Sequence, residues 1–191
     1  MGAFLRIGFT ALVGSLVLCA CHGRRDSSSD VFVQSKSADT LIHMKSGFSF
    51  PAQVGNFHRQ GATQYDTAGE DISMGYNDYA NPVAATVYVY PAGSRNLTDE
   101  LSARQAELTH AHQDAKLLGT GKLDLGDGRS VQGAAYAFGD VFGGNFQPLY
   151  SEVLVGQSGK HFIEYRFTCP DANKAAASGD MAAFAKQLNW P

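Results

Sequence analysis

The sequence predicts an α+β domain in which one antiparallel sheet, of about six to seven strands, is covered by a long central helix and a C-terminal helix. Three observations carry this. Short apolar alternations punctuated by tight Gly, Asn and Asp turns fill most of the chain from residue 47 onward, as hairpin-linked strands do. One stretch, 96–118, changes to a helical period, with Leu97, Leu101, Leu108, Ala111, Ala115 and Leu118 on one stripe. A shorter stripe of Met181, Phe184, Ala185 and Leu188 follows near the C-terminus. The composition agrees, since 191 residues with 44% hydrophobic, 17% charged and 21 Gly suit one globular domain rather than a disordered tail or a coiled coil. A net charge of -3 without a Lys/Arg run argues against a nucleic-acid partner, because phosphate binding needs clustered positive charge.

The chain opens with a leader. Arg6 is the sole charge before an apolar run over 7–18. That run is shorter than the roughly 20 residues of a spanning helix but fits the h-region of a secretory signal. It ends in Leu18, Cys19, Ala20 and Cys21, a tetrad that resembles the lipobox of bacterial lipoprotein signal peptides. Cys21 is the matching position, because Cys19 would place bulky Leu18 where a small residue is needed. The resemblance implies that 1–20 is a signal peptide and that Cys21 carries the lipid on its thioether, with a further acyl chain such as palmitate on the freed amine. Several buried chains at roughly 0.8 kcal/mol per CH₂ make such an anchor effectively permanent. An uncleaved membrane helix and a plain signal are the alternatives. N-myristoylation is excluded, because Arg6 stands where that motif wants Ser or Thr. His22 rather than Asp after the Cys resembles the default sorting to the outer membrane, which would leave the domain facing the periplasm of a Gram-negative envelope.

With Cys19 removed and Cys21 acylated, Cys169 stands alone and no intramolecular disulfide can form. The core alone must then stabilise the domain in an oxidising compartment. Residues 21–46 are polar, with Arg24, Arg25 and a Ser27, Ser28, Ser29 run, and read as the lipidated Cys and a flexible tether. Leu41, Ile42 and Met44 allow an optional helical turn around 39–45.

The globular domain is expected over 47–191. Phe48, Phe50, Pro51, Val54, Gly55 and Phe57 open it. Strands at 63–66 and 71–79 are joined through Gly69 as a hairpin, Asn81-Pro82 is a turn, and 84–90 is the clearest strand. Its Ala85, Val87 and Val89 face one way, and Thr86, Tyr88 and Tyr90 the other. The central helix has Asn96 as N-cap, with Asp99 three residues on, and Gly119 as its stop. Arg104 lies within the apolar stripe. It reads as a stem along apolar surface with its head in water, or else as an internal charge meeting a carboxylate.

Strands then follow at 122–125, 129–138, 149–155 and 160–169, with turns at Asp127-Gly128 and Ser158-Gly159. In the last, Ile163, Tyr165, Phe167 and Cys169 form the core face and Phe162, Glu164, Arg166 and Thr168 the other, so Cys169 reads as a buried, inert thiol. Gly133, Ala135 and Ala137 would admit a close helix. Asp180 caps the final helix, and Trp190 docks beyond it.

Several chemistries are absent or weak. Neither Gly121-Lys122 nor Gly159-Lys160 has the flanking Gly and Ser/Thr of a phosphate loop. Gly119-Thr120-Gly121 and Gly126-Asp127-Gly128 meet Asp124 and Val131 where a dinucleotide fingerprint needs Gly. Ser158 has no Gly two residues after it, as a nucleophile elbow requires. His161 and Cys169 share a strand face but stand roughly 26 Å apart along it, which excludes a dyad. Glu107, His110 and Asp114 lie on one helix face and are a weak metal candidate, and Asp66, Glu70 and Asp71 a weaker Ca²⁺ one; a solvated face is the simpler reading of both. We therefore assign no catalytic residue, metal or cofactor.

The most distinctive segment is the loop expected over 141–148. Its Phe142, Gly143, Gly144, Asn145 and Phe146 set two aromatics on a flexible hinge, suited to a partner contact or to tucking onto the core. Tyr76 and Tyr79 are a second contact candidate. The strand and helix order from Phe48 to Trp190, with Phe50-Pro51, Gly55 and Phe57 at the entry and Tyr165, Phe167 and Pro170 before the last helix, resembles the PsbP-like α/β/α sandwich. That resemblance implies an accessory or assembly domain rather than an enzyme. A lipid-anchored, non-catalytic domain binding an unidentified protein partner is the leading functional expectation. The alternatives are a metal-dependent or carboxylate-based hydrolase of an envelope polymer and a carrier of a small apolar ligand between sheet and helix.

Overall fold

The strand signals assemble as expected into a sheet that is antiparallel throughout, in a computed structural model that describes residues 31–35 and 39–191. The strands are β1 (Phe32–Gln34), β2 (Thr40–His43), β3 (Ser49–Pro51), β4 (Gln53–Val54), β5 (Phe57–Gln64), β6 (Ile72–Asp78), β7 (Val83–Pro91), β8 (Lys116–Gly126), β9 (Arg129–Phe142), β10 (Asn145–Ser158) and β11 (His161–Pro170). The helices are α1 (Leu97–Ala111) and α2 (Lys174–Gln187). Among the described residues β1, β2 and β3 form a small sheet, and the other eight strands form a large one in the order β4-β5-β6-β7-β11-β10-β9-β8. That is slightly more than the six to seven strands expected. After β7 the chain crosses through α1 to the far edge at β8, and the meander β8 to β11 returns to pair with β7 at the centre.

The alternation read from the sequence fixes which layer each face meets. Ala85, Val87, Val89, Tyr165 and Phe167 pack against Met181 and Phe184 of α2 and against Phe48 and Phe50 beside the small sheet. Phe57 and Phe184 have ring centroids 4.6 Å apart. The opposite face, with Tyr90, Phe138, Val153 and Phe162, packs on Leu108 of α1. Asn96 caps α1 as expected, its Oδ1 accepting from Asp99 N at 2.9 Å.

Five expectations are corrected. The tether of 21–46 gives way to strand at β1 and β2, with Val31 and His43 buried, because β2 finds its partner in β3 through Leu41 against Phe50. Such long-range pairing has no local signal in a polar stretch, and it also replaces the optional turn around 39–45. Helix α1 ends at Ala111, not 118, since Leu117 pairs with Tyr136 across β8 and β9. Helix α2 begins at Lys174, before Asp180, which instead accepts from Asn81 Nδ2 at 2.8 Å. The loop of 141–148 is the end of a long hairpin, in which Phe142 pairs with Asn145 across the two-residue turn Gly143-Gly144. Both glycines have positive φ, 60° and 85°, as a type I′ turn demands. Finally, Leu154 rather than a helix closes over Gly133.

Candidate functional site

Helix α1 fully buries Glu100 and Leu108, so its seat on the sheet joins ion pairs to the apolar contacts of Leu97, Leu101 and Leu108. Glu100 has 0% side-chain exposure, with Arg95 Nη1 2.6 Å from its Oε2 and Arg104 Nε 3.0 Å from its Oε1. Arg104 also donates from Nη1 to Glu107 Oε2 at 2.6 Å. From β11, Arg166 Nη2 donates to Glu164 Oε1 at 2.9 Å and lies 3.9 Å from Glu107 Oε1. The Tyr90 hydroxyl joins the halves, 2.8 Å from Glu100 Oε1 and 3.2 Å from Glu164 Oε2. Burial, then the charges of Glu164 and Glu100, push the Tyr90 pKa up and hold the phenol protonated as a donor. Three carboxylates and three guanidiniums thus neutralise one another between helix and sheet. Arg104 is the internal charge meeting carboxylates, not the stem with a solvated head.

Beyond this network, where α1 ends, helix and sheet diverge around a cleft of about 650 Å³. The hydroxyls of Thr86, Ser151 and Thr168 lie along it, and Ser151 Oγ is already committed to Phe167 O at 2.8 Å. Phe138, Phe142 and Leu149 supply the apolar lining, and Glu107, Asp114, Asp140 and Arg166 the charge. The His112 ring stacks on Phe138 with centroids 3.9 Å apart and planes 19° apart, and its Nδ1 is 3.6 Å from Asp140 Oδ2. Burial lowers the His112 pKa against the opposite pull of Asp140 and Asp114, so the ring is neutral at pH 7. Asp114 Oδ2 accepts from Gly139 N at 2.8 Å and Asp140 Oδ1 from Val141 N at 2.7 Å, which fixes both carboxylates beside the hairpin.

The residues singled out from sequence fall into different places. Glu107 and Asp114 line the cleft, but His110 is exposed and does not, and among the described residues no three His, Cys, Asp or Glu side chains converge as a metal set. Asp66 Oδ1 accepts from the backbone N–H groups of Glu70 and Asp71, organising a turn. Phe142 lines the cleft, Gly143, Gly144 and Asn145 form the hairpin tip, and Phe146 stands 75% exposed. Tyr79 is also exposed. Tyr76 is not a surface residue; it is fully buried and donates its hydroxyl to Pro51 O at 2.9 Å, because β6 turns it toward α2. Cys169 is buried, and burial, then Glu152 and Asp171, push its thiol up to about 11. The signal peptide and Cys21 lie outside the described residues.

Sequence reasoning set His112 aside at the stripe edge and did not foresee the network. The available signal was Arg104 within an apolar stripe together with Glu164 and Arg166 on the second face of a central strand.

The fold is PsbP-like. The chain is similar to the solution structure of cyanobacterial PsbP (CyanoP) from Synechocystis sp. PCC 6803, with a TM-score of 0.54 and 15% identity over 91% of this chain and 99% of that one. No family model matches the sequence, and neither does any curated protein.

Proposed function

We propose that this protein is a lipid-anchored domain of the bacterial cell envelope, held at the outer membrane facing the periplasm, that binds a protein partner in a non-catalytic accessory or assembly role. The carrying observation is the open cleft beside the β9-β10 hairpin, with Phe142 lining it and Phe146 75% exposed at the tip. An aromatic ring kept in water forgoes roughly 2 kcal/mol of burial, which a partner surface recovers. The lipobox-like tetrad ending at Cys21 supports the anchor, and the PsbP-like fold is compatible with an accessory domain. A small apolar ligand suits the cleft less well, since hydroxyls and carboxylates line it.

Two measurements test this. Metabolic labelling with radioactive palmitate should mark the wild-type chain and not Cys21→Ser; an unlabelled wild type would remove the anchor. A photo-crosslinking residue at position 146 of the intact lipoprotein should capture one discrete protein in cells. Capture no different from that at exposed Asp127, on the β8-β9 turn, would remove the partner site.

A further inference from the structure

We propose that the cleft recognises a positively charged Lys or Arg side chain presented by the partner polypeptide. This rests on reading the cleft as the partner site. The charge of the lining is one-sided. Glu107 is held by Arg104 at 2.6 Å and the Arg166 guanidinium by Glu164 at 2.9 Å, which leaves Asp114 and Asp140 as the lining carboxylates with no Lys or Arg partner among the described residues. No Lys lines the cleft, and the neutral His112 adds no competing cation.

The two outer carboxylates are preorganised. Asp114 and Asp140 each use one oxygen on a backbone N–H of β9. The second oxygen of Asp140 meets only His112 Nδ1 at 3.6 Å, beyond hydrogen-bond length. An incoming ammonium or guanidinium therefore finds oriented acceptors without reorganisation, the condition under which a charge-assisted bond is strongest. The half-buried ring of Phe142 offers a wall for the methylene stem and a face for cation–π contact, whereas Phe138 is already covered by His112. The cavity of about 650 Å³ lies within the roughly 300–1,000 Å³ of side-chain and small-ligand sites. An anionic headgroup, nucleic acid or acidic peptide would meet like charge there.

The test uses the intact lipoprotein in non-ionic detergent and fluorescein-labelled tetralysine, with tetraglutamate as the opposite probe. Tetralysine should bind and tetraglutamate should not, and carbodiimide coupling should join lysine amines to Asp114 or Asp140. The double variant Asp114→Asn/Asp140→Asn should lose at least about tenfold in affinity. Asn keeps an acceptor for the same backbone amides, and if the pair does not fold, Asp140→Asn alone reads the same direction. Unchanged affinity in the folded variant, coupling spread over carboxylates such as Asp66 and Asp127, or equal binding of tetraglutamate would overturn the proposal. Capture at position 146 is scored separately, so a discrete partner without tetralysine binding rejects the cation chemistry and leaves the partner role standing.

Discussion

The indole of Trp190 occupies the space that a side chain at Gly156 would need, and its Nε1 donates to the Tyr165 hydroxyl at 2.6 Å. The chain beyond α2 is thereby fastened to the centre of the sheet, and Arg129 Nη1 adds a bond to Leu188 O at 3.0 Å.

Gly156→Ala should therefore cost about 1–3 kcal/mol by urea unfolding, since the indole must move out of a packed seat. Gly121→Ala, on the edge strand with nothing within 4 Å of its added carbon, is the control and should stay within about 0.5 kcal/mol.

Removing one member of the buried ion network should be severe. Glu100→Ala leaves Arg95 and Arg104 facing an empty acceptor site and should cost about 3–5 kcal/mol, with a concerted loss of α1 amide protection in hydrogen exchange. Arg59→Ala, whose partner Asp39 is exposed, should lose far less through that ion pair than Glu100→Ala loses from the network.

Acidification through the ordinary histidine range should weaken the fold. Burial lowers the pKa of His43, His112 and His161 below the ordinary 6.5, so the unfolded chain takes up protons that the folded one refuses. Stability is full above that value and declines as pH falls through it toward the depressed folded pKa values. His43 carries the clearest share, its Nε2 donating to Gly69 O at 2.7 Å while Nδ1 accepts from Ser46. Urea midpoints between about pH 7.5 and 5.5 should fall for the wild type and fall less steeply for His43→Asn.

The two hairpin phenylalanines should separate. Phe146→Ala should leave the thermal midpoint nearly unchanged and abolish partner capture from a crosslinker placed at Asn145, whereas Phe142→Ala should lower both.

Cys169 should be silent. In a chain expressed from residue 22 it is the sole cysteine, and a thiol pushed up to about 11 inside the core should not react with iodoacetamide at pH 8 until urea unfolds the protein.

Much of the fold was legible because its signals are local. The alternation in 84–90 and 160–169 named both faces of the central strands correctly, and Asn96 announced the cap of α1. What was not legible depended on pairing at a distance. Leu118 continues the helical stripe of α1 yet lies in β8, because its neighbours Leu117 and Gly119 find backbone partners in Tyr136 and Ala135 of β9. The run of small residues at the start of α2 contributes no apolar stripe, so its first turns were unreadable. Of the candidate site, Glu107, Asp114 and Phe142 were named from sequence, and Tyr76 was misplaced to the surface.

By itself the sequence determined the α+β class and the alternating faces of the strands, and it raised the expectations of a lipid anchor and of no disulfide, all of which follow from periodicity, counting or a short contiguous motif. Only the tertiary structure decided that Arg95, Glu100, Arg104, Glu107, Glu164 and Arg166 neutralise one another between the α1 segment and β11, and that a cleft opens where they end. Those residues come from segments some sixty positions apart, and a charge reads as solvated surface in any local window. It becomes an internal ion pair only when the crossing of α1 over the sheet removes water from both partners at once.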